Sequence, residues 1–382
     1  MYGHPSGKMP VKSESKRNYN LGVGFQSFRE HPFHIDNYGD PAEFQYHDLV
    51  PLFKGDKFNA EEWAQLFYLS GARFAGPVAE HHDGYAMLDS DVTPWNAKDT
   101  GPCRDIVGEL ADSIRKKGLK FITTFHHARM GKAPIESNER DKRKWYYYGR
   151  EKYLERNNPT YKDSDELSKL YGSISWDDFL RMWNEKLEEV IEKYRPDLIW
   201  FDSWLDRIPQ KNRIEFVNTY LKAATQWKKP VVITYKQNDL PQNVGIVDFE
   251  KGRLDRLTEY AWLTDDTISA GVWTETGSWS YTEELVIKSS IELIHTLVDI
   301  VSKNGNLLLN ISPRADGSIP MEQRHSLIGV GDWLKVNGEA IYGTRPFRIY
   351  GEGPKRMESS GHFVQMNGEY SAENIRFTTK EN

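Results

Sequence analysis

Over 382 residues the chain carries 50 Lys and Arg against 56 Asp and Glu, a formal charge of −6, which gives no electrostatic case for nucleic acid or an anionic membrane surface. Its 38% hydrophobic and 28% charged residues suit a globular protein and are too apolar for disorder; the length fits one barrel with attachments or a few smaller domains. No apolar run reaches the ~18 residues of a membrane helix, and MYGHPSGKMPVKSESKRNYN holds no apolar h-region, so neither a span nor an intact signal peptide is expected in this sequence. The single cysteine, Cys103, forms no intramolecular disulfide and no CxxC metal or redox framework. Aromatic residues reach 13%, a density that packs a large core and also suits stacking on sugar rings.

In chain order, short apolar runs alternate with helix-length amphipathic segments. AEEWAQLFYLSG (60–71) reads as a helix, with Trp63, Phe67 and Leu69 near one face and Gly71 as its stop. ARFAGPVAEHHDG follows as a strand that runs into polar residues. RDIVGELADSIRKKG (104–118) is helical, with Ile106, Leu110 and Ile114 recurring every four residues and Gly118 after a basic last turn. LKFITTFHH is the next strand, SWDDFLRMWNEKLEEVIEKYR (175–195) a long helix opened by Ser175 and Asp177, and PDLIWFD the strand after it. Helix NRIEFVNTYLKAATQW, strand PVVITYK, helix SSIELIHTLVDIVSKN, strand NLLLNIS and helix MEQRHSLIGVGDWLKVNG continue the beat. Such alternation indicates βα units on a parallel sheet, and its length favours an α/β fold of the (β/α)8-like, TIM-type barrel kind. No GxGxxG follows a strand, so a dinucleotide site has no support.

Two segments differ in kind. Residues 131–174 form a polar insertion whose charge runs read as a solvated loop, with Trp145-Tyr146-Tyr147-Tyr148 as a candidate roof over a site. Beyond residue 345 the helical pattern gives way to short alternating runs. The expected division is a barrel domain over 1–345 and the beginning of a C-terminal β domain, the start of a β-sandwich, over 346–382.

Barrel enzymes carry their chemistry at the C-terminal ends of their strands. Here those ends read Glu80-His81-His82-Asp83, His126-His127, Asp202, Lys236 and Asn310. Asp202 follows the apolar run LIWF, where a carboxylate is expensive unless paired or used. It is either a nucleophile or base on a rigid strand end, or a cap for the next helix start near Asp206. Asp248 and Glu250 flank Phe249 in GIVDFEKGRLDR; they are either a solvated charge run or the second carboxylate that glycoside hydrolysis needs. Arg253 or Arg256 is expected to pair with Asp248, keeping it ionised and leaving Glu250 as the acid. The adjacent histidines lie on strands, where neighbours face opposite ways, so a metal site is less favoured than imidazole hydrogen bonds to hydroxyls. His31, His47, His295 and His325 read as structural.

The string EWAQLFYLSGARFAGPVAEHHDGYAMLDSDVTPWNAKDTGPCRDIVGELADSIRKKGLKF resembles the α-L-fucosidases of glycoside hydrolase family 29, as do PDLIWFDSW and VSKNGNLLLNISPRADGSIPMEQRHSLIGVGDWLKVNGEAIYGTRPF. The resemblance implies a hydrolase, a glycosidase of fucose and carbohydrate metabolism, that cleaves terminal α-L-fucosyl residues with retention by double displacement. Asp202 falls on the family's nucleophile and Trp200 on a residue lining the sugar. His81 and His82 fall on histidines that bind fucose hydroxyls, His126 or His127 on the next strand's contact position, and Trp279 of GSWSY on a tryptophan packing on the sugar's apolar face. Lys236 completes the expected substrate-binding set. Glu250 is the leading acid/base candidate and Asp248 the fallback. No metal and no cofactor are expected; the partner is a fucosylated glycan, with neither nucleic acid nor membrane.

The family opens with a strand reading like FGIFIHWG, and here only LGVGFQSF (21–28) is available, with Gln26 where a His is expected. The first barrel strand is therefore the one expected to be lacking, and the chain reads as truncated at both ends. A secreted, periplasmic or lysosomal location is what the resemblance implies. The alternatives are a related barrel hydrolase acting on another sugar or on sulfated fucans, with Arg140-Asp141-Lys142-Arg143-Lys144 meeting sulfate, and a non-catalytic fucose-binding barrel.

Overall fold

The computed structural model describes residues 36–39, 43–131, 164–270, 278–283, 285–354, 356, 359–364 and 370–380. The candidate first strand at 21–28, the basic run at 140–144 and the aromatic run at 145–148 lie outside the described residues.

Helix α1 (Ala60–Leu69) starts where the Asn59 side chain accepts the Glu61 and Glu62 N–H groups, a cap that stabilises by about 1 kcal/mol. The strand after it is broken into β1 (Phe74–Ala75) and β2 (Val78–Glu80). Pro77 has no N–H to give a ladder, and Gly76 lies so close to the next strand that a Cβ there would sit 1.7 Å from the Ile122 carbonyl oxygen. Helix α2 (Ile106–Lys116), capped by Asp105, leads to β3 (Lys120–Phe125). Helix α3 (Trp176–Tyr194), capped by Ser175, leads to β4 (Leu198–Phe201). Then come α4 (Gln210–Trp227), β5 (Val232–Lys236), β6 (Ile246–Asp248) and β7 (Trp262–Thr267). Finally α5 (Ser290–Ser302), β8 (Gly305–Asn310) and α6 (Met321–Asn337) complete the series.

The strands pair in the order β1-β3-β4-β5-β6-β7-β8, all parallel, with β2 also on β3. That is a curled sheet filling seven consecutive places of a (β/α)8 barrel. Among the described residues β1 and β8 are its edges, which is where an additional strand was expected. Two strands went unread in the sequence, β6 and β7. Neither is preceded by a helix, and β7 reads Trp-Leu-Thr-Asp-Asp-Thr yet is buried along its whole length.

The main core lies between the sheet and α2, α3 and α4. Trp183 stacks on His127 and Phe201, and Phe216 packs edge-on to Phe201 with centroids 5.1 Å apart. Burying each such ring stabilises by about 1.5–3 kcal/mol, so this wall holds β3 and β4 rigidly in register. Beyond the barrel, β9 (Arg345–Glu352) and β10 (Ile375–Thr379) form an antiparallel pair. Arg376 on β10 ties it to α5 through the fully buried Asp299, at 3.0 Å.

Candidate active site

The C-terminal strand ends converge on one cavity of about 1940 Å³, which runs from a polar mouth down along the β1 and β8 edges to Leu327 and Leu334. His81, His82, His126, Trp200, Asp202, Lys236, Glu250 and Trp279 all line it. His127 does not. It begins a 3-10 turn after β3 and stacks on Trp183 at 5.7 Å in the helix-side core. Of the second histidine pair, His126 is therefore the one that faces the site.

Asp202 extends β4 by one residue, its N–H donating to the Phe125 carbonyl at 3.0 Å, which fixes its carboxylate at the mouth. One oxygen, Oδ1, meets Lys236 Nζ at 3.2 Å, and the other meets His82 Nε2 at 3.2 Å. Burial works to raise its pKa, but the Lys236 ammonium, the His82 contact and His126 outweigh it and hold the carboxyl well below the usual range. Asp202 is therefore a carboxylate at every physiological pH.

Lys236 is the hub of the site. Only 1% exposed, its Nζ also lies 3.0 Å from Glu250 Oε2, 3.2 Å from Asp265 Oδ2 and 3.9 Å from Asp248 Oδ2. Burial disfavours the ammonium, but Asp265, Glu250, Asp202 and Asp248 together raise its pKa well above the ordinary value. Four carboxylates around one cation leave an excess of negative charge, which buried groups relieve by taking protons. Glu250 is pushed up to about 7, first by burial and then, against the pull of Lys236, by Asp265 and Asp202. Asp248 is raised well above the carboxylate range by burial and by Asp265.

Asp248 does not take the part expected of it. Arg253 pairs with Asp299 at 3.5 Å and Arg256 with Asp255 at 3.8 Å, so neither reaches Asp248. Instead it accepts the Trp200 indole N–H at 3.2 Å and the Asp265 N–H at 2.8 Å, fully buried beneath the cavity. Burial and Asp265 raise its pKa despite Lys236, and neither arginine offsets that rise. Of Asp248 and Glu250, only Glu250 lines the cavity.

The histidines form a cluster: ring centroids are 4.5 Å apart for His81 and His82, and 4.1 Å for His81 and His126. Burial lowers the pKa of all three, so they are neutral rings. His82 Nδ1 lies 2.6 Å from the His126 carbonyl and its Nε2 faces Asp202, giving a neutral ring one N–H for two acceptors. Trp279 sits opposite, its loop held by Asn310 Nδ2 and Ser312 Oγ, which both donate to its carbonyl, and Lys251 lies over its ring at 5.4 Å. Among the described residues no group of three His, Cys, Asp or Glu side chains is arranged to hold a metal ion.

Sequence reasoning missed Asp265, whose buried Oδ1 has no hydrogen-bond donor, and His362, which accepts the Glu250 N–H. The signal for Asp265 was two acids inside an otherwise strand-like run; nothing marked His362. Backbone strain also gathers here. Trp204, Gln237 and Lys251, each one or two residues past Asp202, Lys236 and Glu250, have φ of 81°, 57° and 45°.

A family profile described as Alpha-L-fucosidase matches residues 9–339. The tissue alpha-L-fucosidase of Rattus norvegicus is 31% identical over 342 residues, covering 87% of this chain and 66% of its own length. The human tissue enzyme is 31% identical, covering 84% of this chain and 62% of its own length. The chain thus spans just under two thirds of these relatives. Among solved structures, Thermotoga maritima alpha-fucosidase in complex with a mechanism-based inhibitor superposes with a TM-score of 0.69 at 27% identity, over 99% of this chain and 77% of that one. Its complex with fucose gives 0.67 at 26% identity, over 92% and 69%. The chain belongs to the alpha-L-fucosidase family.

Proposed function

We propose that the protein is a retaining α-L-fucosidase acting on terminal fucosyl residues of glycans. The observation that carries this reading is the single ammonium of Lys236 bridging Asp202 and Glu250. At 3.2 and 3.0 Å from that nitrogen, the two carboxylate oxygens are at most about 6.2 Å apart. A shared ammonium of this kind keeps the two carboxyl groups close and admits the ~5–5.5 Å separation of retaining sites.

The protonation states fit the two roles. Asp202, ionised, attacks the anomeric carbon as the bond to the leaving oxygen breaks, giving a covalent fucosyl-enzyme. Glu250, protonated up to about pH 7, gives its proton to that oxygen. Ionised in turn, it takes a proton from the water that attacks the same carbon, and fucose leaves with its original configuration. His81, His82 and His126 take sugar hydroxyls, Trp200 and Trp279 pack on the ring, and Lys236 holds both carboxylates. His127, on the helix side, is left out of the substrate-binding set.

The names of the relatives, tissue and plasma alpha-L-fucosidase, support a secreted or lysosomal setting. Among the described residues no helix is long and apolar enough to cross a membrane. The test is proton NMR of an aryl α-L-fucoside during hydrolysis. The α anomer of fucose should appear first; the β anomer first, or turnover of other aryl glycosides but not this one, would overturn the reading.

A further inference from the structure

We propose that His362 and Phe363, from the segment beyond the barrel, form the subsite for the leaving-group sugar, a pyranose that stacks one face on the Phe363 ring. The inference rests on the fucosidase reading above, since it needs Glu250 to be the acid.

The segment is laced to the Glu250 loop on both sides. The Glu250 N–H donates to His362 Nδ1 at 3.0 Å, and the Phe363 N–H donates to the Glu250 carbonyl at 2.7 Å. Gly361 N–H donates to the Arg253 carbonyl at 3.1 Å, and the Asp255 N–H donates to Ser360 Oγ at 2.8 Å. The backbones touch: a Cβ on Gly252 would lie 1.9 Å from the Gly361 carbonyl oxygen. The position of Phe363 relative to the acid is therefore fixed by main-chain bonds.

Phe363 itself is costly where it stands. Its φ of 59° lies in the left-handed region that favours glycine, and its side chain is 65% exposed at the cavity rim. Strained backbone positions of this kind gather at ligand sites. The oxygen that Glu250 protonates belongs to the leaving sugar, so that sugar must sit on the Glu250 side of the fucosyl ring. Phe363 offers an apolar face there, of the kind that stacks on a pyranose. His362 adds a donor. With Nδ1 committed as an acceptor, its proton must be on Nε2, and burial together with Lys236 lowers its pKa so that the ring stays neutral.

The experiment compares α-L-fucosyl fluoride, whose leaving group has no ring, with the best substrate from a panel of α-L-fucosyl disaccharides. Phe363→Gly removes the ring and suits the left-handed backbone; Phe363→Trp keeps a stacking face. The glycine variant should lower kcat/KM for the disaccharide about tenfold relative to that for the fluoride, mainly through KM, and the tryptophan variant should restore the ratio. Equal losses on both substrates would make Phe363 structural, and an unchanged ratio would remove it from the subsite. A wild-type protein that hydrolyses the fluoride but no disaccharide would also overturn the proposal. Failure of the fucosidase reading shows separately, as no turnover of the fluoride by the wild-type protein, and would take the subsite with it.

Discussion

The two halves of the barrel build the site by different means. From β2 to β4, each strand ends in polar groups at the cavity, and a helix separates each strand from the next. From β5 to β7 no helix intervenes, and the acids sit within the strands or just past them: Asp248, Asp265 and Asp266 are all buried. Their charges are met by Lys236, Lys251 and Lys288 rather than by water. The first half therefore fixes where Asp202 stands, held by packing behind Trp183 and Phe201. The second half sets which carboxyl groups carry protons. Geometry and protonation are built by different walls, and each can be broken without the other.

The largest effect is expected from the first wall. Asp202→Gly should lower turnover of an aryl fucoside by about 10³-fold or more, the loss expected when a nucleophile is removed. Azide added to that variant should restore turnover, and azide-independent wild-type rates would end the nucleophile assignment. On the second wall, Glu250→Ala should cost about 10²–10⁴-fold with a poor leaving group and little with a good one. In the wild-type protein, kcat/KM for the poor leaving group should fall as pH rises through about 7, where Glu250 loses its proton, and fucosyl fluoride should show no such limb. A shared alkaline limb would place the titration elsewhere.

Lys236→Met tests the link between the walls. Removing the cation from a buried cluster of carboxylates should cost about 3–5 kcal/mol in stability at neutral pH. The sign of the pH dependence follows from Lys236 lowering the pKa of both Asp202 and Glu250. Without it both pKa values rise, so both limbs of the activity profile should move to higher pH. The stability deficit should shrink as pH falls, because the carboxylates then take protons and stop repelling one another. Urea unfolding at about pH 5 and about pH 8 measures this, and a deficit independent of pH would mean that Lys236 contributes packing rather than charge.

The same division explains what could be read from the sequence. In the first half, LIWF before Asp202 and KFITTF before His126 are runs that only a buried strand tolerates, so the polar residue after each stood out. Alternation alone left His126 and His127 equal, since it says that one faces the site but not which. The second half was opaque because β7 carries its acids in pairs with lysines from distant segments, Lys236 and Lys288, and a strand pattern does not show partners. Asp248 was misjudged for the same reason. Basic neighbours in sequence, Arg253 and Arg256, looked like its counter-charges, whereas the fold sends Arg253 to Asp299 on α5. The His362 contact could not be read at all, since it joins positions 112 residues apart through backbone geometry.

The smallest expected effect is the one that separates Asp248 from Glu250. Both are acids two residues apart, both have raised pKa values, and both are close to Lys236. Asp248, however, is fully buried with a raised pKa, so Asp248→Asn imitates its protonated form and hardly changes its size. The amide keeps one acceptor oxygen for two donors, the Trp200 indole and the Asp265 N–H, where the protonated acid has two oxygens. One hydrogen bond is therefore lost, at about 1–3 kcal/mol of stability. Trp200 keeps its place through packing on β4, so turnover should stay within about tenfold of wild type for good and poor leaving groups alike. A loss confined to the poor leaving group would instead identify Asp248 as the proton donor and return Glu250 to a supporting role. Parallel, small losses on both substrates leave the acid where the cavity has it, on Glu250.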